Sequence, residues 1–120
     1  MIIYLKNNHT LKVDDFNFQC VIGKNGVSEN KVEGDKKTPK GTYGIGDLYY
    51  RKDRNDRPET QLKCVVIKKN MGWCNDLKNK KKYNKLIKKD KKIKHEKLFR
   101  VDHLYDFFIP IKYNSKKIII

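Results

Sequence analysis

Apolar residues in this 120-residue chain occur in short runs that turn-forming residues separate. A strand needs about five or six residues and a typical helix about eleven, so runs of this length favour strands. Apolar and polar residues also alternate between Phe16 and Ile22, at the period of a half-buried strand. The sequence therefore predicts a mainly β fold with at most one or two short helices. The predicted strands cover residues 1–5, 11–13, 16–22, 42–50, 62–67 and 104–111.

The residues between these runs predict where the chain turns. Asn7-Asn8 predicts a hairpin and Asn25-Gly26 a tight turn, because Asn and Gly accept positive φ angles. Pro39 and Gly41 predict a further turn. Residues 51–60 are dense in Asp, Asn and Arg, which predicts an exposed loop outside the core. The run at 104–111 is predicted to be an interior strand whose end Pro110 confines to a sheet edge or bulge.

The net charge of +15 is concentrated in one stretch, residues 78–94, which holds ten lysines and one acid, Asp90. Leu86, Ile87 and Ile93 give it only a thin apolar stripe, so residues 78–97 are predicted to be a loop with at most a short helix. Two interpretations remain open, a solvated lysine-rich loop and a basic binding module for an anionic polymer such as nucleic acid or teichoic acid. Scarce arginine argues against sequence-specific nucleic-acid binding.

Length, cysteine spacing and the lack of long apolar runs predict the number of domains, the state of the thiols and the location of the chain. One domain spanning residues 1–120 fits this length. The three cysteines, Cys20, Cys64 and Cys74, lack the spacing of a zinc site, so buried reduced thiols and no bound metal are expected. No secretory signal and no membrane-spanning run are visible, which predicts a cytoplasmic chain as written. Oligomeric state stays open.

Seven short motifs occur in a fixed order along the chain. They are Gly-Lys-Asn-Gly at 23–26, Glu-Gly-Asp-Lys-Lys-Thr-Pro-Lys-Gly-Thr-Tyr-Gly-Ile at 33–45, Gly-Trp-Cys-Asn-Asp at 72–76, Tyr-Asn at 83–84, His-Glu-Lys-Leu-Phe-Arg at 95–100, Asp-His-Leu-Tyr-Asp at 102–106 and Tyr-Asn at 113–114. In this order and spacing the chain resembles the YkuD-type L,D-transpeptidases. The resemblance implies an incomplete β-sandwich or barrel. It also implies cysteine acyl transfer on peptidoglycan stem peptides, outside the cytoplasm and without a cofactor.

The resemblance also indicates which residues would carry the site. His103 is the catalytic candidate, because Asp102 and Asp106 flank it and a carboxylate can orient an imidazole. A hydrogen-bonded histidine at the start of a strand is the structural alternative. His95 is expected at the surface and His9 in the first turn, both without a role. The candidates for the substrate groove are Glu33, Asp35, Pro39, Gly41, Trp73, Asp102 and Tyr105. The acids among 33–36 are also expected to shape their turn.

The expected nucleophile is missing from the sequence. In the family, a histidine and a Gly-Cys motif follow the segment that corresponds to Tyr113-Asn114, and acyl transfer needs that thiolate. Here the chain ends at Ile120, and the apolar residues 118–120 suggest the start of a further strand. We therefore expect a copy truncated before its nucleophile and inactive alone. Cys74 matches a position of the family that is not the nucleophile.

Overall fold

The computed structural model describes residues 2–113, and the chain divides into two compact units, Met1–Thr42 and Tyr43–Ile120. Eleven strands and no helix occur among the described residues, so the predicted mainly β class is confirmed. Accordingly, no helix in residues 2–113 is long and apolar enough to cross a membrane. The prediction of a single domain stays a prediction. The predicted strand at 118–120 lies outside the described residues.

The first unit contains a three-stranded meander and a short parallel pair. The meander is β1, Ile3–Asn7, β2, Thr10–Val13, and β3, Phe16–Gln19, in the antiparallel order β1-β2-β3. The parallel pair is β4, Val27–Ser28, with β5, Thr38–Pro39. The hairpin predicted near Asn8 is confirmed, and His9 lies in its turn.

The predicted half-buried strand from Phe16 is shorter and more exposed than expected. Phe16 and Phe18 lie on one face of β3 with 68% and 53% of their surface exposed, and all four residues of the strand are exposed. Their rings are 6.4 Å apart. The alternation was therefore correct for the strand but wrong for its burial, because the described residues leave this face of the sheet open.

The turn predicted at Asn25-Gly26 is confirmed. Gly26 has a φ of +85°, and its amide donates to the Gly23 carbonyl over 2.9 Å. The chain also passes close to Gly23, where a Cβ would lie 2.6 Å from the Lys36 carbonyl oxygen. Pro39, predicted to initiate a turn, instead lies in β5. The amide of the following residue, Lys40, donates to the Ser28 carbonyl over 2.9 Å and completes the ladder.

The second unit contains two three-stranded sheets. Its strands are β6, Leu48–Tyr50, β7, Cys64–Val66, β8, Met71–Cys74, β9, Leu86–Lys88, β10, His95–Lys97, and β11, Phe107–Phe108. The orders are β11-β6-β7, with β6 and β7 parallel, and β10-β8-β9, which is antiparallel throughout. β11, predicted to belong to an interior strand, instead lies at the edge of its sheet, and Pro110 follows it outside the strand.

The core of the second unit forms around Tyr49, Ile67 and Leu98. Aromatic rings extend it, with Trp73 lying 5.2 Å from Phe108 and 6.1 Å from Tyr49 between ring centroids. Both contacts are close to edge-to-face, a geometry that stabilises aromatic pairs beyond their burial. This cluster holds the two short sheets of the unit together.

Three predictions for the second unit are wrong in whole or in part. Within residues 78–97, Leu86–Lys88 and His95–Lys97 form β9 and β10, because they pair with the two edges of β8, whereas the remaining residues are turns and loops as predicted. The predicted interior strand at 104–111 is reduced to Phe107–Phe108, since turns occupy the residues before it. Arg51, assigned to an exposed loop, is only 3% exposed because its guanidinium has partners in the interior.

Candidate functional site

A single arginine fixes the backbone of residues 100–106, the segment that contains His103. The Arg54 guanidinium donates from Nη2 to the carbonyls of Arg100, over 3.1 Å, and Val101, over 2.8 Å. Its Nη1 donates to the Asp102 carbonyl over 2.7 Å and to Asp106 Oδ1 over 2.9 Å. A planar guanidinium can serve several acceptors at once, so it holds this segment as a defined turn. We call residues 100–106 the clamped loop.

The candidate catalytic histidine, His103, lies on this loop, and the next strand begins only at Phe107. The structural alternative, a hydrogen-bonded histidine at the start of a strand, is therefore right about the hydrogen bond and wrong about the strand. His103 Nδ1 lies 2.8 Å from Asp106 Oδ2, while the His103 side chain remains 80% exposed. The imidazole, and after it the Arg54 guanidinium, holds the pKa of the Asp106 carboxyl below its usual range. The carboxylate thus orients the ring and leaves Nε2 directed away from its partner, the arrangement that a general base requires.

Asp102 forms a second ion pair beside the histidine. Its two carboxylate oxygens accept from Arg100, over 3.0 Å from Nε to Oδ1 and 2.8 Å from Nη2 to Oδ2. The Leu104 amide donates to Asp102 Oδ1 over 3.1 Å. The Arg100 hydrogen bonds and this amide lower the pKa of Asp102 to about 2. Asp102 is therefore a carboxylate at neutral pH, and it shapes the turn.

Tyr105 and Trp73 are half-buried and pack against the core of the second unit. Tyr105 lies 5.5 Å from Phe108 between ring centroids, and Phe108 in turn contacts Trp73. Burial, and then a hydrogen bond from the hydroxyl to Glu96, raises the pKa of Tyr105. Trp73 Nε1 donates to Asn84 Oδ1 over 2.9 Å. Three of the predicted groove residues, Trp73, Asp102 and Tyr105, thus belong to the same unit as His103.

The other predicted groove residues lie in the first unit, where Asp35 organises its own loop. Its carboxylate accepts from Lys31 Nζ over 2.8 Å and from the amides of Val32 and Lys37 over 2.8 and 2.9 Å. These bonds, led by Lys31, lower its pKa to about 2. The prediction that this acid shapes its turn is confirmed.

The other three predicted groove residues of the first unit are Glu33, Pro39 and Gly41. Glu33 is half-buried in the same loop, Pro39 is half-buried in β5, and Gly41 is exposed with a φ of +134°. A φ in this range favours glycine, which agrees with the bend at this residue. Their predicted part in a groove stays a prediction.

The three cysteines are free thiols, and Cys74 is the most buried at 1% exposure. It lies opposite His95 in the register of β8 and β10. His95 is half-buried, its ring lies against Gly72, and its Nδ1 is 2.7 Å from the Ile93 carbonyl oxygen. The surface position predicted for His95 is therefore wrong. A thiol as buried as Cys74 has no access to a peptide carbonyl, in agreement with a structural role.

Sequence reasoning missed the arginines that build this site. Only four of the 29 basic residues of the chain are arginine, and Arg51, Arg54 and Arg100 each make a multidentate contact. In a chain so biased toward lysine, arginine marks positions where a planar, forked donor is needed. That bias was the signal available in the sequence.

No cluster of three or more His, Cys, Asp or Glu side chains in residues 2–113 has the arrangement needed to hold a metal ion. Comparison with known proteins adds no identification, since no family model, curated protein or solved structure matches the chain.

Proposed function

We propose that this chain is related to the L,D-transpeptidases and binds a peptidoglycan stem peptide at the clamped loop, without transferring the acyl group by itself. The ordered series of motifs from Gly23 to Asn114 supports the family. The observation that carries the proposed site is the clamp on the loop. Arg54 fixes three successive carbonyls of a segment whose side chains, His103 above all, remain exposed.

Rigid support of exposed polar side chains is typical of a binding site. A surface loop without a function does not need its carbonyls held by one guanidinium, because water can satisfy them. The loop offers a carboxylate at Asp102 and an imidazole at His103, with Tyr105 beside them. Such a combination can hydrogen-bond the amides and charged groups of a short peptide.

Acyl transfer requires an accessible thiolate next to a base. Cys74 is buried, and the half-buried Cys64 lies in β7 with its Sγ 3.6 Å from the Leu62 carbonyl oxygen. Neither is exposed next to His103 in the second unit. We therefore expect peptide binding without a covalent intermediate on these thiols.

Nuclear magnetic resonance of the 15N-labelled chain tests the binding step. Titration with a stem tetrapeptide should shift the amides of residues 102–106, and His103→Ala should weaken the interaction by at least about fivefold, a loss of about 1 kcal/mol. His9→Ala is the matched control, since His9 is an exposed histidine in a turn of the first unit. A peptide of the same composition with only L residues should bind less well.

Absence of shifts up to millimolar peptide, or equal effects of His103→Ala and His9→Ala, would overturn the proposed binding site. Covalent chemistry is tested separately by incubation with a carbapenem and intact-mass measurement. We expect no adduct. A stoichiometric adduct on Cys20, Cys64 or Cys74 would show that one of these thiols is an accessible nucleophile, contrary to the proposal.

A further inference from the structure

A groove of about 700 Å³ on the second unit collects many of the lysines of the basic stretch. Its lining includes Leu86 and Ile87 of β9 and one acid, Asp90. Six lysines complete the lining, namely Lys82, Lys85, Lys88, Lys89, Lys91 and Lys92. We call this groove the lysine groove.

The backbone of the lysine groove is held by hydrogen bonds that leave the lysine side chains unused. β9 pairs with β8 in regular antiparallel register. The Lys89 amide donates to the Asn70 carbonyl over 2.8 Å, and the Lys92 amide to Asp90 Oδ1 over 2.9 Å. Lys88 therefore lies in a paired strand, and the other five lysines lie in the exposed turns and loops beside it.

The charges of the groove are not neutralised within the protein. None of the six ammonium groups forms an ion pair with a carboxylate of residues 2–113, and Asp90 is the one acid among the lining residues. The lining thus carries a net charge of +5. Such a concentration of one sign repels itself and attracts anions into the concave surface. A bound polyanion would relieve that repulsion and stabilise the folded unit.

The chemistry of the lining indicates which polyanion fits. Lysine binds phosphate as a point charge, whereas reading of base edges uses the forks of arginine, asparagine or glutamine. The lining contains none of these and no aromatic ring on which a base could stack, since Leu86 and Ile87 are aliphatic. We propose that the lysine groove binds a flexible chain of phosphodiesters through its phosphates, without recognising the groups that the phosphates link.

Salt-dependent binding tests this proposal on the full chain. The probe is a fluorescent oligo(dT) 20-mer, measured by anisotropy between 25 and 300 mM salt. Each phosphate contact on a single strand contributes about 0.7 to the slope of log K against log salt. Lys85, Lys88 and Lys92 changed together to Gln should reduce the slope by about 2 and the affinity at 25 mM salt by at least about tenfold.

The matched control changes Lys12, Lys24 and Lys52 to Gln. These exposed lysines lie outside the groove, and the loss of net charge is the same. The control should keep the slope of the unaltered chain, and far-UV circular dichroism should show both variants folded. The single change Lys88→Gln, with an expected slope reduction of about 0.7, gives the same information if the triple variant unfolds.

Two further probes test whether the phosphates alone are recognised, whatever groups they link. A poly(glycerol phosphate) and an oligonucleotide of mixed sequence should compete with oligo(dT) at similar phosphate concentrations, because phosphates alone are bound. Equal losses in the groove and control variants would overturn the proposal and assign binding to overall charge. A preference of more than tenfold for one base sequence would also overturn it, as would absence of binding at 25 mM salt.

Discussion

Replacing Arg51 tests whether a buried guanidinium holds the second unit together. Arg51 as a whole is 3% exposed, and its carbon Cζ lies 3.5 Å from the centre of the Phe99 ring. Nη1 donates to the Arg100 carbonyl over 2.6 Å, while Nε and Nη2 both bind Asp53 over 2.8 Å. We expect Arg51→Met to destabilise this unit markedly.

The magnitude follows from which contacts are buried. The stacking of a desolvated guanidinium on Phe99 contributes about 1–2 kcal/mol. The hydrogen bond to Arg100 would be worth about 1.5–3 kcal/mol, but Arg54 also donates to that carbonyl over 3.1 Å, so we use the lower end. Methionine recovers part of the packing. The free energy of unfolding should therefore fall by about 2–3 kcal/mol.

Urea unfolding followed by the fluorescence of Trp73, the single tryptophan of the chain, measures this change. Asp53→Asn is the control, because Asp53 is 51% exposed and an exposed partner contributes little to the pair. Its midpoint should move far less than that of Arg51→Met. Buried ion pairs can sometimes be replaced by apolar residues without loss. If the free energy of unfolding of Arg51→Met lies within about 1 kcal/mol of that of the unaltered chain, Arg51 is one of these replaceable residues and our reasoning is refuted.

Two further substitutions test local packing and charge. Gly72→Ala should destabilise the second unit by about 1–3 kcal/mol, because a Cβ would lie 2.6 Å from His95 Cδ2. This destabilisation should largely disappear in a His95→Ala background, which a double-mutant cycle by urea unfolding measures. Asp102 has a pKa lowered to about 2 in the folded chain, so its contribution to stability is present above pH 4 and is lost as the pH falls toward 2. Asp102→Asn should flatten this part of the profile of urea midpoint against pH, and an unchanged profile would contradict the assigned cause.

Local patterns predicted the elements that local chemistry controls. The first hairpin and the turn at Gly26 depend on residues within a few positions of one another. The turn-shaping function of Asp35 is of the same kind, since its partners lie within four residues along the chain. Such features need no knowledge of tertiary contacts.

Features that depend on distant partners were not predicted. Arg54 lies 46 to 52 residues from the groups it binds in the clamped loop. β9 looked unsuitable as a strand because lysines surround its apolar residues, yet pairing with β8 overrides that composition. Phe18 was predicted to lie in a half-buried strand but is exposed. Alternation of apolar and polar residues identifies the two faces of a strand, but it does not show whether other residues cover either face.

The stability of the second unit and the geometry of its clamped loop share one atom, the carbonyl oxygen of Arg100, which accepts from both Arg51 and Arg54. Arg51 connects this atom to the Phe99 ring, whereas Arg54 connects it to the loop. A substitution of either arginine therefore changes folding and site together and cannot isolate binding. His103 is connected to Arg54 only indirectly, because its hydrogen-bond partner Asp106 also accepts from Arg54, and the His103 side chain is largely exposed. A binding defect in His103→Ala with unchanged unfolding would thus be a property of the site alone.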